Sequence, residues 1–272
     1  MTTTIGLITT GQCEHLALAS SLARVFADAD VEFTTLFGGP ADSITSGYVS
    51  YPAPPSPVAS VAERLAARMA AQLESRRGPG FVFAIDDLEL DNVETPGNVA
   101  GVVRDAVVRA LGSTPTHAEQ ARYRERCSFH LLCPMVEAYF YGEPAALTRA
   151  GAHAPALVVQ TEHLEAFLAG DMAYLVPPDE PGHAWRSPGR AKHPKRYLRF
   201  LAMPDRYQEA KGGRDALATL DWRQVFDRQP PGLGFALALF EDLADAIGVP
   251  CPFRGEARSE TARRVDGVLC NL

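Results

Sequence analysis

No run of apolar residues in this chain approaches the roughly 20 that a helix needs to cross a bilayer. The opening Met1-Thr2-Thr3-Thr4 also lacks the basic and long apolar parts of an export signal, so a cytoplasmic location is expected. Cysteine is sparse. The five present (Cys13, Cys127, Cys133, Cys251, Cys270) form an odd set with no CxxC or Cys/His ligand spacing, which suits reduced thiols better than disulfides or zinc. Cys127 and Cys133 lie in an apolar run and read as small core residues. Phosphate-loop and dinucleotide signatures are missing too: the first turn, Thr10-Gly11-Gln12, is followed by neither Gly-Lys-Ser/Thr nor spaced glycines. Positive charge is in deficit, 26 Lys and Arg against 33 Asp and Glu for a net charge of -7, so any polyanion partner must be met by a local basic patch. There is no internal repeat. What is present is an apolar fraction of 46% over 272 residues, enough for the core of one large α/β domain or of a domain with an appended helical lobe.

The chain is organised around Phe81-Val82-Phe83-Ala84-Ile85-Asp86-Asp87-Leu88-Glu89-Leu90-Asp91. Apolar residues 81–85 follow the breaker Gly78-Pro79-Gly80 and predict a strand buried on both faces of a parallel sheet, with a burst of acids behind it. Residues 4–9 predict a first strand and 13–27 a helix with Leu16, Leu18, Leu22, Val25 and Phe26 on its apolar face. Glu14 then falls in the first turn of that helix. Residues 31–37 predict a second strand, 40–57 a long Pro-rich excursion and 58–77 a helix through Val61, Leu65, Met69 and Leu73. Asn98 is expected to cap a helix ended by Gly112, and 127–133 read as another strand. Pro134 is expected as the first residue of a helix that carries Glu137. Beyond residue 142 short helical pieces predominate (143–150, 162–169, 195–201, 216–220, 222–226, 233–247), with a candidate strand at 156–159 and a charged tail from 256. The expected division is an α/β core over 1–142 and a mostly helical lobe over 143–272 packed on it.

Three expected strand ends carry acids: Glu14, then Asp86, Asp87 and Glu89, then Glu137. In open α/β sheets ligands sit outside the carboxyl ends of the strands. Clustered carboxylates repel, so they are tolerated when a cation neutralises them or when each is spread into solvent as an ordinary surface residue. Oxygen ligands without cysteine favour Mg²⁺ or Mn²⁺, and a metal held there suits phosphodiester chemistry. His15 and His130 are further candidate ligands, although a lone histidine in an apolar run is more often structural. A phosphatase of the Asp-x-Asp type fits less well, because Leu88 stands two residues after Asp86. Arg186, Arg190, Lys192, His193, Lys195, Arg196 and Arg199 make a local basic run, with Trp185 and Tyr197 for stacking, that reads either as a nucleic-acid contact or as a charged helix face.

Thr9-Thr10-Gly11-Gln12-Cys13-Glu14, the acidic strand from Phe83 to Glu89, and Met135-Val136-Glu137-Ala138-Tyr139 together resemble the Toprim-like proteins related to OLD-type nucleases, which are commonly encoded beside ABC-type or AAA-type ATPases in bacterial defence loci. Lys195-Arg196-Tyr197-Leu198 and Tyr207-x-x-x-Lys211-Gly212-Gly213 are similar to the basic C-terminal segments of that family. The resemblance covers most of the chain. It implies a Toprim-like, Rossmannoid α/β fold with a mainly parallel sheet flanked by helices and a mostly helical C-terminal lobe. It further implies a Mg²⁺- or Mn²⁺-dependent nuclease or phosphoryl-transfer effector acting on nucleic acid in anti-phage defence, working as a homo- or hetero-oligomer. On this view Glu14, Asp86, Asp87 and Glu89 hold metal, Glu14 and Glu137 act in catalysis, and Lys195, Arg196 and Lys211 contact phosphate. One departure stands out: Thr10 occupies the place of the family's general acid/base glutamate, and a hydroxyl without a base cannot ferry a proton as a carboxylate does. The alternative is therefore a catalytically impaired subunit that binds a partner ATPase and is regulated by it.

Overall fold

The computed structural model describes residues 2–37, 61–75, 78–112, 116–153, 164–176, 189–227 and 234–253. The Pro-rich excursion at 40–57, the candidate strand at 156–159, Trp185, Arg186 and the tail from 256 lie outside the described residues. Strand β1 (Thr3–Thr9) leads into α1 (Gln12–Val25), then β2 (Val31–Thr35), α2 (Val61–Glu74) and β3 (Phe81–Asp87). After a 3₁₀ turn at Leu90–Asn92 come α3 (Pro96–Ala110), α4 (His117–Arg126) and β4 (Cys127–Leu132). Short helices follow: α5 (Glu137–Phe140), α6 (Pro144–Arg149), α7 (Met172–Leu175) and α8 (Pro194–Leu201). A π-helical turn at Glu209–Gly213 opens directly into α9 (Arg214–Ala218), and α10 (Trp222–Asp227) and α11 (Gly234–Ile247) complete the described elements.

The four strands form one all-parallel sheet in the order β2-β1-β3-β4. Each parallel pair needs a crossover, and right-handed crossovers fix which face each helix covers. The step from β1 to β2 runs one way along the sheet and puts α1 on one face. The steps from β2 to β3 and from β3 to β4 run the other way and put α2, α3 and α4 on the opposite face. Side-chain alternation sorts the core accordingly. Ile5, Leu7, Phe83, Ile85 and Leu132 pack with α1 and the later helices, whereas Ile8, Val82, Ala84, Phe129 and Leu131 pack with α2, α3 and α4. Because the direction of travel reverses between β1 and β3, the sheet has its topological switch point there.

The first face also takes up the described helices of the second half of the chain: Tyr139, Leu147, Tyr197, Trp222, Phe240 and Phe253 belong to the same hydrophobic cluster as Ile5 and Leu18. A fully buried polar link adds direction: Ser128 on β4 donates to Asp242 on α11 at 2.8 Å, with His130 Nε2 2.8 Å from the same serine oxygen and Phe83 stacked on the imidazole. His130 is thus occupied in the core and is not a ligand at the sheet edge.

Several local expectations are corrected. Pro134 does not open a helix: it follows a cis bond from Cys133, and α5 begins at Glu137. The third helix starts at Pro96, two residues before Asn98, because proline at a first helical position needs no amide partner. Leu16 is 45% exposed, and the buried side of α1 is instead Cys13, Glu14, Ala17, Leu18, Ser21 and Leu22. Of the helix expected at 162–169 the described residues show a single 3₁₀ turn, Leu164–Ala166. Helix α4 has one buried side chain, Tyr123, and is closed at its start by a reciprocal Thr116–Glu119 capping box. Among the described residues no helix is long and apolar enough to cross a membrane.

Candidate functional site

The carboxyl ends of β1, β3 and β4 adjoin beside the switch point, and each contributes a buried acid to one cluster. Glu14 sits in the first turn of α1, Asp87 is the last residue of β3, and Glu137 opens α5 immediately beyond β4. Gly11 makes room for the first of these. A Cβ at position 11 would overlap the Glu14 carboxylate, which folds back over the turn. Asp87 accepts a hydrogen bond from the Val136 amide at 2.9 Å. Glu137 accepts one from the Tyr207 hydroxyl at 2.9 Å and lies 3.4 Å from the Lys195 ammonium, which is also 3.3 Å from Glu209. The tyrosine reaches that far in because residue 213 is glycine, where a side chain would collide with the Tyr207 hydroxyl and Cys13. The π-helical turn therefore has a local purpose: it seats Gly213 against α1 while Glu209 reaches Lys195.

Electrostatics marks these groups as one unit. Burial pushes Glu14 up to about 7, and the neighbouring Glu137 adds to the rise. Burial also holds Asp87 well above the usual carboxylate range, reinforced by Glu14 and Glu137. Glu137 is raised by burial against the opposing pull of Lys195 and of the Tyr207 hydroxyl. Burial alone would favour a neutral Lys195, but Glu137, Asp87, Glu209 and Glu14 overcome it and keep the ammonium charged beyond its ordinary range. Four carboxyl groups thus surround one ammonium, and the second oxygen of Glu137, Oε2, is buried with no hydrogen-bond partner among the described residues. Cys13 lies beside the same acids, and burial with their charge keeps its thiol protonated.

Asp86 is not part of that unit. Successive residues of a strand face opposite sides, so Asp86 turns to the α2/α3 face while Asp87 turns to the α1 face. There Asp86 accepts a short hydrogen bond from Thr10, and burial raises it to about 7, with Glu89 adding and Thr10 opposing. The expectation that Glu14, Asp86 and Glu137 share one pocket is corrected by this parity: Asp87 takes the place of Asp86. Glu89 lies beyond the end of β3 and raises both Asp86 and Asp87, and it adopts a left-handed backbone (φ 63°) as its amide donates to the Pro134 carbonyl.

The expected phosphate contacts divide as well. Arg196 and Lys211 are exposed, whereas Lys195 is engaged by acids. Tyr197 is fully buried among Tyr141, Tyr174 and Phe200, and Arg190 lies over the Tyr174 ring, so neither offers a free stacking or phosphate surface. Glu209 and the role of Tyr207 escaped the sequence reading. Their one signal was the Tyr207-x-Glu209 pair just ahead of Lys211-Gly212-Gly213. Among the described residues no group of three or more His, Cys, Asp and Glu stands ready to hold a metal ion, with Lys195 lodged between Glu137 and Glu209. On the same sheet edge Leu90, Val93, Pro134, Phe167 and Leu168 line a mostly apolar cavity of about 210 Å³ bordered by Lys192.

On the wall of that cavity Glu165 supports α11, accepting from the amides of Phe235 and Ala236 and from the Tyr139 hydroxyl. Burial nevertheless raises it from 4.5 to about 7. A carboxyl whose folded pKa exceeds its unfolded one binds its proton more tightly when folded, so stability is full below about 4.5 and falls as pH climbs towards 7. The loss is on the order of 3 kcal/mol at most. Glu165→Gln, whose carbonyl can still accept from the α11 amides, is expected to reduce the fall in denaturant midpoint between pH 5 and pH 8. An unchanged slope would contradict this assignment.

No protein-family model, curated protein or solved structure matches the chain.

Proposed function

We propose that this chain is a Toprim-like, Rossmannoid phosphoryl-transfer protein that cleaves nucleic acid with Mg²⁺ or Mn²⁺ held by Glu14, Asp87 and Glu137, in the setting of anti-phage defence. The observation that carries this reading is the convergence of three buried carboxyl groups, Glu14, Asp87 and Glu137, at the switch point of a parallel sheet, with one Glu137 oxygen unpartnered among the described residues. Buried charge of one sign is costly, and a hard divalent cation is the neutraliser that an all-oxygen donor set suits. When bound, such an ion supplies charge stabilisation at a phosphodiester and lowers the pKa of water.

The residues of the chain do the rest. Val136 fixes the Asp87 carboxylate through its amide, and Tyr207 fixes Glu137 through its hydroxyl. Glu14, raised by burial and by the neighbouring Glu137, is the acid placed to exchange a proton, the task for which Thr10 is unsuited. The exposed Arg196 and Lys211 meet the phosphate backbone, and the apolar cavity between Leu90 and Phe167 offers walls for a base. The test is incubation of the purified chain with linear DNA, plasmid and RNA in Mg²⁺ or Mn²⁺. Cleavage that needs the metal and is lost on chelation is expected; no cleavage of any of them sinks the reading.

A second reading, a catalytically impaired subunit regulated by a partner ATPase, draws on Thr10, whose hydroxyl is committed to Asp86. It predicts an inactive chain that recovers a stoichiometric ATPase in pull-down from its native cells.

A further inference from the structure

Beyond the carboxyl ends of β3 and β4, the edge where open α/β sheets seat their ligands, the cavity of about 210 Å³ is walled by Leu90, Val93, Phe167 and Leu168. These walls are fixed without help from a ligand. Asn92 donates through its side chain to the Leu88 carbonyl at 3.0 Å and holds the 3₁₀ turn that carries Leu90, the Phe167 ring lies 4.8 Å from that of Tyr141, and the Ala169 amide donates to the Ala191 carbonyl at 2.7 Å. An apolar space of roughly 150 Å³ takes one benzene ring, so this one takes an aromatic ring with substituents and no long chain. The polar lining is small. Glu165 is 6% exposed, whereas Glu94 and Lys192 are exposed and give the rim one charge of each sign, so the cavity calls for no net charge on its ligand. Glu165 Oε1 is crowded by the Tyr139 hydroxyl and the amides of Phe235 and Ala236, while Oε2 only shares the Phe235 amide, at 3.1 Å. A carboxyl oxygen accepts two hydrogen bonds, so Oε2 has room for another donor.

We infer that this cavity binds one neutral heteroaromatic ring, a nucleobase, with its faces on the apolar walls and an N–H donating to Glu165. Apolar walls alone accept any ring of the right size. The buried acceptor selects a ring that carries an N–H, because closing the cavity with a ring that lacks one leaves an oxygen cut off from water without its bond. Every nucleobase presents such a donor on its pairing edge, and that edge is free once the base is unstacked. The inference rests on the nucleic-acid reading for the origin of the base and deepens it: a strand is read here at one unstacked base, with the exposed Lys192 at the rim for a neighbouring phosphate. It requires no bound cation.

Calorimetric titration of the full chain in chelator, with adenosine, guanosine, cytidine and uridine as probes, tests it. At least one nucleoside is expected to bind one to one, and its counterpart with the pairing-edge N–H groups methylated to bind roughly tenfold or more weakly, the loss of a hydrogen bond to a carboxylate. Leu168→Trp, which adds bulk at a half-buried wall position, is expected to abolish binding while keeping the circular dichroism of wild type. Binding of none of the four, equal binding of the methylated form, or binding retained by the folded variant overturns the inference. Should the variant not fold, the methylated probe decides on wild type alone. A single-stranded oligonucleotide that binds more tightly than both the nucleoside and its own abasic form supports a strand as the source of the base; one that binds no better than its abasic form supports the cavity as a site for the free nucleoside. Nucleoside binding without cleavage in Mg²⁺ or Mn²⁺ sinks the nuclease reading and leaves this one standing, and cleavage by a chain that binds no nucleoside does the reverse.

Discussion

On the proposed metal-dependent reading, Asp87→Asn is expected to lower divalent-cation affinity and cleavage by roughly 10- to 100-fold, while Asp86→Asn leaves metal affinity within roughly a few-fold of wild type. The two residues are chain neighbours with the same chemistry, so composition offers no ground for separating them. The pleat does. Asp87 points to the face on which Glu14 and Glu137 stand and is held by the Val136 amide at 2.9 Å, whereas Asp86 points to the other face and is held by Thr10. Asparagine keeps the shape and one acceptor oxygen of either side chain, so loss of packing is not the cause of the expected difference. Mn²⁺ calorimetry and a cleavage time course on both variants check it. Equal losses would show that the acids act as one pocket across both faces and would refute the assignment.

Trp222→Ala is expected to cost about 3 to 5 kcal/mol of folding stability, the range for emptying the site of a large buried aromatic side chain. Trp222 is 1% exposed. Its ring lies 5.4 Å from Tyr139 and 5.0 Å, edge-on, from Phe240, and its indole N–H donates to Ser21 at 2.9 Å. Those contacts join α1, α5, α10 and α11, and α1 and α5 carry Glu14 and Glu137. On the proposed reading the variant should therefore lose metal affinity together with stability, although Trp222 touches none of the acids through a hydrogen bond. Urea unfolding followed by circular dichroism gives the number, and a loss under about 1 kcal/mol, the scale of a conservative core swap, would contradict the packing account. Trp222→Phe, which keeps an aromatic ring and loses the bond to Ser21, should fall between the two.

Much of the core was legible in the primary structure because it depends on short-range periodicity. Residues 81–85 announced a strand buried on both faces, and Ile5, Leu7 and Ile8 repeated the signal for β1. The helical spacing of Leu65, Met69 and Leu73 gave the buried side of α2. Acids behind three strands located the edge of interest. Local pattern was less informative at Pro134, where a rule about first helical positions competed with the turn actually formed.

What the chain fixed by itself, then, is a parallel α/β core with acids at its strand ends, since alternation, helical period and turn residues act over a few positions and need no distant partner. Only the tertiary structure decided which of two adjacent aspartates joins Glu14 and Glu137, and that Lys195, Tyr207 and Glu209 close the pocket. Those outcomes depend on the face to which a strand end is turned, on α8 returning to α5 and on the π-helical turn returning to α1 from distant parts of the chain. Packing of the whole chain sets both, and no window of neighbouring residues contains it.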